Sequence, residues 1–408
     1  MAANTVTVWE NALKQVWSQD EMERQFVQQD DLLKELEIKK PEAEIGGELL
    51  TPVYIGHGGV YTALGIEGSS ELNSPEPEQI NRAKWKNARH YTTIELDTAS
   101  VKQSEGNSKA VASSVNMEMS GKLEYLRRQL TRQLFGEGSA LIAQCAKEEA
   151  ESTTVKLLKT GLGNHAIANG WLVKGQEVDI GTKTEQKVVV GKSKITAVKE
   201  SETEPTITIS SKVKTKEEHF VSIANARSGE TSNEANSLRQ MTDEISTLGG
   251  IKPETEPKWA GFTEKQSGAP VSRAMVIGFR RKLRKKGTDP DWSITSLEQI
   301  EALESVLFPQ VRFNSPEQLN TGDGTNVKLG NLSFQGHLDC PKSDLYMLRK
   351  EHLSLLRDAK PEWMPEKYEG GKVLRWRQNT TFLTSALEYF LQTITNRRNA
   401  LGRLTELA

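Results

Sequence analysis

The 408-residue sequence has little of what marks secreted, membrane-spanning or disulfide-rich proteins. Its two cysteines, Cys145 and Cys340, lie far apart and form no CxxC pattern, so two buried thiols in a reducing compartment are expected. No apolar run approaches the ~20 residues needed to cross a bilayer. The first ten residues contain neither a basic region nor an apolar stretch, which argues against a signal peptide and predicts synthesis in the cytoplasm.

Catalytic and metal-binding patterns are missing as well. The six histidines form no HxxxH pair and have no cysteine or carboxylate at ligand spacing, and no GxSxG motif is present. The glycines at 136–139 follow a predicted helix, whereas a phosphate-binding glycine loop precedes one. The sequence therefore predicts no catalytic residue, no metal site and no cofactor.

The chain also lacks an excess of charge of either sign. Lys and Arg number 53 and Asp and Glu number 55, a formal net charge of -2, whereas nucleic-acid-binding domains are usually strongly basic. One basic run, RRKLRKK at 280–286, could contact DNA or an acidic neighbour. The interpretation with the greater weight is the solvated C-terminal end of a helix, where cations suit the helix dipole.

One strong helical pattern is present. Asn107 or Ser108 can cap a helix that runs to about Phe135, where Gly136 can end it. Such a helix of ~28 residues would span about 42 Å, well above the usual length in globular proteins. Its apolar residues advance by three or four and form a single stripe: Val115, Met119, Leu123, Leu126, Leu130 and Leu134.

A long polar stretch precedes this helix. Residues 65–79 are rich in Gly, Ser, Pro and Glu and cannot bury a core of their own. Strand patterns flank the stretch, with 50–55 leading in and 91–97 leading out. Loops of this length are uncommon inside compact domains, so the stretch is expected to project towards a partner.

Strand patterns dominate the chain after the long helix. Short β-rich runs between residues 171 and 223 predict a small barrel or sandwich. Ser272 and Ser296 can each cap a further helix. The C-terminal stretch 373–407 predicts two or more strands.

The most specific segment of the sequence is EYLRRQLTRQLFGEGSAL at 124–141. It resembles the end of the long spine helix in major capsid proteins of tailed bacteriophages of the Hong Kong 97 type. Residues 90–96 are similar to the strand that returns from the extended loop of that family. Further similarities follow in the family's order at 101–104, 290–296, 344–348 and 396–404.

The resemblance implies an α+β chain with the Hong Kong 97-type capsid fold, built of an N-terminal arm, an extended loop, a long spine helix, and peripheral and axial domains, plus an inserted small β-domain. The implied boundaries are 1–46 for the arm, 47–107 for the extended loop with flanking strands, 108–150 for the spine helix and the start of the peripheral domain, 151–225 for the β-rich insertion domain, 226–345 for the mainly axial domain, and 346–408 for the C-terminal strands of the peripheral domain.

The function that this resemblance implies is that of a major capsid protein, not an enzyme. Copies would assemble as hexamers and pentamers into the icosahedral head shell of a phage virion, formed in the bacterial host cytoplasm around double-stranded DNA. The implied partners are further copies, a portal protein, a decoration protein, DNA through non-specific contacts, and a separate scaffolding protein, since no long helical leader precedes the arm. No membrane is involved.

Three alternatives stay open at the level of the sequence. An encapsulin-like nanocompartment subunit shares the capsid fold and encloses cargo proteins. An enzyme could use residues 150–225 as a substrate-binding module, although no converging set of titratable groups supports this. A nucleic-acid-binding protein could use 280–286, although the run has no interleaved aromatic residues.

The extended loop of similar capsid proteins lies across an adjacent subunit, which suggests where this loop binds. Arg128 and Arg132 lie opposite the apolar stripe of the long helix, and Gly121 on the same face allows close approach. The loop carries four acidic residues with no Lys or Arg among them: Glu67, Glu71, Glu76 and Glu78. We therefore predict an intersubunit contact between the loop and the helix; the alternative is solvated surface charge, since exposed pairs contribute only ~0–1 kcal/mol each.

Overall fold

The computed structural model describes residues 22, 30–41, 43–45, 48–56, 79–97, 108–148, 150–158, 163–201, 203–229, 231–307, 326–357, 360–364, 373–378 and 380–408. The chain divides into two compact units. Unit 1 comprises Met1–Lys40, Asn87–Arg239 and Leu355–Thr393, and unit 2 comprises Pro41–Lys86, Gln240–Ser354 and Ile394–Ala408. The stretch 346–408, which the family resemblance implies to be one part of the peripheral domain, is shared between the two units.

The described helices are those that the sequence patterns predict, with two short additions. They are α1 (Ser108–Phe135), α2 (Gly163–Ala168), α3 (Leu238–Thr242), α4 (Arg273–Lys285) and α5 (Leu297–Leu307). Single 3₁₀ turns lie at Leu33–Glu35, Pro257–Trp259, Lys350–His352 and Arg398–Ala400.

The described strands are numbered in chain order. The first half comprises β1 (Glu37–Lys39), β2 (Ala43–Ile45), β3 (Glu48–Gly56), β4 (Gln79–Lys86), β5 (Arg89–Asp97), β6 (Leu141–Gln144), β7 (Ser152–Lys156), β8 (Glu177–Gly181), β9 (Val190–Lys199), β10 (Thr206–Val213), β11 (Phe220–Ile223) and β12 (Arg227–Ser228). The second half comprises β13 (Thr231–Ser232), β14 (Phe262–Ala269), β15 (Trp292–Thr295), β16 (Asn326–Leu329), β17 (Leu332–Gly336), β18 (Leu345–Leu348), β19 (Leu353–Leu356), β20 (Glu362–Trp363), β21 (Arg375–Trp376), β22 (Phe382–Phe390), β23 (Gln392–Thr395) and β24 (Gly402–Leu407).

Helix α1 has 28 residues, and its predicted start and end are confirmed. Its apolar stripe is buried along the described side chains Met119, Leu123, Leu126, Leu130 and Leu134. Over the last two turns the helix is buried on every side, because the uncharged polar residues between the stripe positions are covered too. The final turn closes with a hydrogen bond of 2.8 Å from the amide at position 136 to the carbonyl at position 132.

The β-rich region predicted at 171–223 forms a closed barrel in unit 1. Its six strands follow the order β6-β11-β8-β9-β10-β7. The two edges meet through an antiparallel bridge between Cys145 and Leu157, with flanking backbone hydrogen bonds of 2.8 and 2.9 Å. The strands enclose a core of aliphatic side chains and Trp171. The first barrel strand, β6, lies before residue 151, the start that the family resemblance implies for the insertion domain.

A buried carboxylate, Asp179 on β8, joins strand β9 to the loop before it and to the turn after β11. Its Oδ1 accepts a hydrogen bond of 2.6 Å from the amide of Lys192. Its Oδ2 accepts one of 3.0 Å from the amide of Asn225 and one of 2.7 Å from the side chain of Gln186. Lys192 and Asn225 both have left-handed backbone angles, with φ of 53° and 61°. Asp179 therefore compensates for two strained backbone positions, one within β9 and one in the turn after β11, by accepting hydrogen bonds from their amides.

The strand that leads out of the extended loop was wrongly placed at 91–97. In unit 2, β3 pairs along its length with β4, so the loop returns through 79–86. In unit 1, β5 pairs with β22 from Arg89–Phe390 to Asp97–Phe382. The pattern of β4 was weak because it buries only small or isolated apolar side chains, Ala83 and Trp85, between cations.

Unit 2 is built on a mixed six-stranded sheet in the order β14-β24-β18-β15-β17-β16. Helices α4 and α5 pack on it through a shared aliphatic core. The predicted caps are confirmed, since Ser272 and Ser296 accept hydrogen bonds of 3.3 Å from amides three residues on. Gly402 on β24 allows the close approach of α4, because a Cβ there would lie 2.9 Å from side-chain atoms of Phe279 and Leu283.

Unit 2 also contains a fully buried arginine, Arg398. Its guanidinium donates to the carbonyl oxygens of Ser246 at 2.6 Å, Gln240 at 2.7 Å, Asp243 at 2.8 Å and Met241 at 3.1 Å. These carbonyls belong to the C-terminal end of α3 and the turn that follows it, where a cation suits the helix dipole. Burial lowers the pKa of Arg398 to about 10, which still leaves it charged at neutral pH.

Candidate intersubunit surfaces

Arg132, predicted to be an accessible contact residue on α1, is buried instead. Its Nε donates a hydrogen bond of 2.7 Å to the side chain of Gln129, and its Nη2 pairs with the carboxylate of Glu234. The two partners of this ion pair are only 2% and 8% exposed. The prediction that a neighbouring subunit could reach Arg132 is therefore wrong, because the chain's own segment around Glu234 covers this face of the helix.

The segment that follows Glu234 makes further hydrogen bonds to α1 and to β23. The amide of Ala235 donates to the side chain of Gln133 at 3.0 Å. Asn236 donates from its amide to the side chain of Gln392 at 2.7 Å and from its side chain to the carbonyl of Thr393 at 3.0 Å. These bonds hold the covering segment in place, so the C-terminal end of α1 belongs to the interior of unit 1.

A buried histidine lies close to this ion pair. The Nε2 atom of His90 is 3.3 Å from the carbonyl oxygen of Leu391. Burial, assisted by the nearby charge of Arg132, lowers the pKa of His90 to about 4, against the opposing effect of the Leu391 carbonyl. The imidazole is therefore neutral at physiological pH.

Arg128, the other predicted contact residue, remains at the surface. It pairs with Glu124 one turn earlier at 2.7 Å, and both side chains are about half exposed. No contact atom lies within 4 Å of a Cβ placed on Gly121, so this part of the helix is open to close approach. The predicted loop residues Glu67, Glu71, Glu76 and Glu78 lie outside the described residues, and the contact stays a prediction.

An open groove of about 480 Å³ lies beside α1, between Gly121, Lys122 and Tyr125 and the loop 173–176. Lys122 and Lys174 line it, and neither makes an ion pair with another described residue. Burial raises the pKa of Tyr125 to about 12, so its hydroxyl stays protonated. The buried Nε2 of Gln176 has no hydrogen-bond partner in the described part of the chain. The groove therefore offers donors and positive charge, which suit an acidic segment.

The basic run 280–286 is the charged end of α4, as the favoured interpretation has it. Arg280 and Arg284 both bind the carboxylate of Asp289, with distances between 2.7 and 3.0 Å. The hydrogen bond from Arg284, together with that from Arg280, holds the pKa of Asp289 well below its usual range. Lys282 pairs with Glu264 at 2.8 Å. Three of the six cations of the run are thus paired with two carboxylates within unit 2.

Both cysteines are buried and form no disulfide, as predicted. Burial raises the pKa of the Cys145 thiol to about 12, so it is protonated at neutral pH. Among the residues that the structure describes, no group of three or more His, Cys, Asp or Glu side chains is arranged to hold a metal ion. None of the described helices combines the length and apolar character needed to span a membrane.

No protein-family model matches the chain, and no curated protein matches its sequence. Solved structures do match. The capsid protein in the cyanophage A-1(L) capsid asymmetric unit is 11% identical, with 92% of each chain covered and a TM-score of 0.52. The capsid of a native GTA particle is 8% identical, with 92% of this chain and 90% of that chain covered and a TM-score of 0.49.

An encapsulin also matches, the SrpI protein of Synechococcus elongatus PCC 7942, at 8% identity and a TM-score of 0.38, with 92% of this chain and 86% of that chain covered. The cyanophage match carries the assignment of the fold, because it extends over 92% of both chains. The order of loop hairpin, long helix, β-rich region and terminal strands is the one that the sequence motifs predict. The chain therefore has the fold of a tailed-phage major capsid protein, the Hong Kong 97-type capsid fold.

Proposed function

We propose that the chain is the major capsid protein of a tailed phage and assembles, as hexamers and pentamers, into an icosahedral head shell around double-stranded DNA. The observation that carries the proposal is the fold shared with the cyanophage capsid protein over 92% of both chains. Its role in this proposal is structural: the subunit works through contacts with its own copies, arranged around local rotation axes. The shell is the virion capsid, formed in the cytoplasm of the bacterial host.

Exposed apolar side chains in unit 1 support contacts with further copies. Tyr91 on β5, Trp376 on β21 and Phe382 on β22 are 59%, 60% and 37% exposed, and all three strands belong to one sheet. They do not form one patch, because Trp376 pairs with Leu383 and Tyr91 with Glu388, which lie on opposite faces of β22, so a different neighbouring copy would cover each face. Packed subunits of a shell would remove these side chains from water.

The contact between the extended loop and α1 is part of this proposal, but the residues that would bind the loop differ from those predicted from the sequence. Arg132 cannot take part, because Glu234 neutralises it inside unit 1. Arg128, which is exposed, and the groove beside Tyr125 remain on the surface of the helix. Lys122 and Lys174 in that groove suit a loop that carries Glu67, Glu71, Glu76 and Glu78.

Further partners belong to the same proposal. A portal protein would replace subunits at one vertex, a separate scaffolding protein would guide assembly, and a decoration protein would bind the outer surface. Packaged DNA would touch the inner surface through non-specific contacts. The near-zero net charge of the chain fits this weak, non-specific role better than specific binding of nucleic acid.

The direct test is assembly of the purified protein, alone and with the proteins encoded beside it. Negative-stain microscopy should show closed shells, and the nucleic acid content of particles from infected cells should separate a phage head from a protein-filled compartment. A chain that stays monomeric under every assembly condition would contradict the proposal. Shells that enclose cargo protein and no nucleic acid would favour the encapsulin-like alternative.

The loop contact has its own test. Lys122→Glu with Lys174→Glu should reduce shell yield, and Glu71→Lys with Glu76→Lys in the same chain should restore part of it. The matched control changes two exposed lysines of unit 2 that make no ion pair with another described residue, Lys252→Glu and Lys258→Glu. Normal assembly of the first variant, or no rescue by the second change, would rule out this contact.

A further inference from the structure

The β9–β10 hairpin of the barrel carries opposite charges at its two ends. At the open end, four exposed lysines form what we call the lysine face: Lys192, Lys194, Lys212 and Lys214. At the turn, the sequence KESETE places Glu200, Glu202 and Glu204 against a single cation, Lys199. We call this turn the acidic tip. Glu200 and Glu204 are exposed.

The strand pattern fixes the lysine face on the outside of the barrel. The alternate residues Ser193, Ile195 and Val213 are buried, so their neighbours point to solvent. The Oγ of Ser193 accepts a hydrogen bond of 3.3 Å from the amide of Ser211, which brings the positions beside Lys192 and Lys212 together across the two strands. The four lysines thus share one patch.

No lysine of this patch makes an ion pair with another residue of the described chain. Like charges on adjacent strands, such as those of Lys192 and Lys212, repel each other and destabilise the pairing of the strands, whereas Lys194 lies opposite the exposed Glu177 on β8. An anionic partner removes that repulsion. The lysine face is therefore a surface that gains from being covered by carboxylates.

The acidic tip has the matching charge and a fixed shape. The Oγ of Ser201 accepts hydrogen bonds from the amides of Thr203 at 3.4 Å and Glu204 at 3.2 Å. These bonds hold the turn closed at the end of the two strands. Neither Glu200 nor Glu204 makes an ion pair with a described residue.

The tip cannot neutralise the lysine face of its own chain. Glu200 lies six positions after Lys194 along an extended strand, a distance of about 20 Å at ~3.3 Å per residue. This is more than twice the screening length of ~8 Å at physiological salt. Both ends of one rigid strand keep this separation, so the acidic tip can meet a lysine face only on another copy.

We propose that the acidic tip of one copy binds the lysine face of a second copy. The contact is heterologous, because two different surfaces meet, and such contacts close into rings or extend along a lattice. This contact rests on the proposed function, because a shell places copies next to each other, and it names one of the contacts that would join them. Nucleic acid is the competing occupant of a lysine patch, and the test separates the two.

Zero-length crosslinking with a carbodiimide tests the contact in the full-length protein. Copies grown in ¹⁴N and in ¹⁵N medium are mixed, assembled and crosslinked, and the peptides are identified by mass spectrometry. The expected products are mixed-isotope amides between a lysine of the lysine face and Glu200 or Glu204. Shells that form normally and give only same-isotope products, or none, would overturn the inference while leaving the proposed function intact.

Charge reversal provides the second arm. Lys192→Glu with Lys194→Glu should lower the yield of mixed-isotope amides at Lys212 and Lys214 by about tenfold. The reason is that the loss of a few exposed ion pairs weakens binding by roughly a factor of ten. Adding Glu200→Lys and Glu204→Lys should restore the contact in reversed polarity, read out as carbodiimide products between the new lysines and the new glutamates. The neutral variant Lys212→Gln with Lys214→Gln checks the same face if the reversal does not fold.

The control Lys252→Glu with Lys258→Glu, in unit 2, should leave the mixed product unchanged. Mixed products in a preparation that forms no shells would support the contact while contradicting the proposed function. Protection of the four lysines from acetylation by added DNA, without protection on assembly, would overturn the contact and assign the face to nucleic acid. An unchanged yield after charge reversal would overturn it too.

Discussion

Removing the charge of Arg132 should destabilise unit 1 strongly, although the residue was expected at the surface. The change Arg132→Met keeps most of the side-chain volume and takes away the guanidinium. It leaves the carboxylate of Glu234, only 8% exposed, without its cation, and leaves Gln129 without its donor. Breaking a buried pair from one side costs about 3–5 kcal/mol, because the remaining charge is neither solvated nor paired.

A double substitution distinguishes this cause from a simple loss of packing. In Arg132→Met with Glu234→Gln, no unpaired charge remains, so the double variant should be at least about 1 kcal/mol more stable than Arg132→Met. The matched control is Arg128→Met, which breaks an exposed pair one turn earlier on the same helix. Its expected cost is below about 0.5 kcal/mol.

The assay is urea unfolding of the unassembled protein, followed by tryptophan fluorescence. A lower midpoint at constant denaturant dependence reports a true loss of stability. A loss below about 1 kcal/mol for Arg132→Met would refute the argument, since it would mean that water reaches the pair. A double variant no more stable than Arg132→Met would likewise show that the unpaired charge of Glu234 is not the cause of the loss.

Three further predictions concern other buried polar groups. His90 has a pKa of about 4 in the folded protein and about 6.5 when unfolded, so its contribution to stability is complete above pH 6.5 and is lost as the pH falls towards 4. The loss should reach up to about 3 kcal/mol, and His90→Gln should abolish this pH dependence of the melting temperature. Arg398→Lys should cost about 3 kcal/mol and speed hydrogen exchange at 240–246, because a single ammonium cannot reach all four carbonyls. Asp179→Asn should lower the thermal stability of the barrel by about 2–3 kcal/mol, since its amide group turns a donor towards backbone amides.

Local patterns predicted α1 well and its surroundings poorly. The spacing of the apolar stripe and the capping residues lie within the helix itself, so its bounds at Ser108 and Phe135 could be read directly. The partner of Arg132 is 102 residues away, and nothing in the helix identifies it. One signal was available: between residues 129 and 135 the polar positions are uncharged apart from Arg132, which is unusual for a solvent-exposed face.

For strands as well, local patterns predict the element but not its distant partner. The runs that make up the barrel were visible as β-rich segments, but its closure depends on the bridge between Cys145 and Leu157, outside those runs. Residues 91–97 alternate clearly and were recognised as a strand, yet their partner β22 lies almost three hundred residues later. The pattern therefore gave the type of element and misplaced its connection to the extended loop.

The distribution of paired and unpaired cations indicates which surfaces are available to bind a neighbouring copy. Arg132 is paired with Glu234, and Arg398 is hydrogen-bonded to backbone carbonyls, both inside their units, where salt screens charges little. Arg280 and Arg284 share Asp289. The cations of the lysine face and of the groove beside α1 have no such internal partner among the described residues. Added salt should therefore weaken contacts between copies while the fold of each subunit persists, because the Arg132–Glu234 pair and Arg398 are buried and the external cations are not.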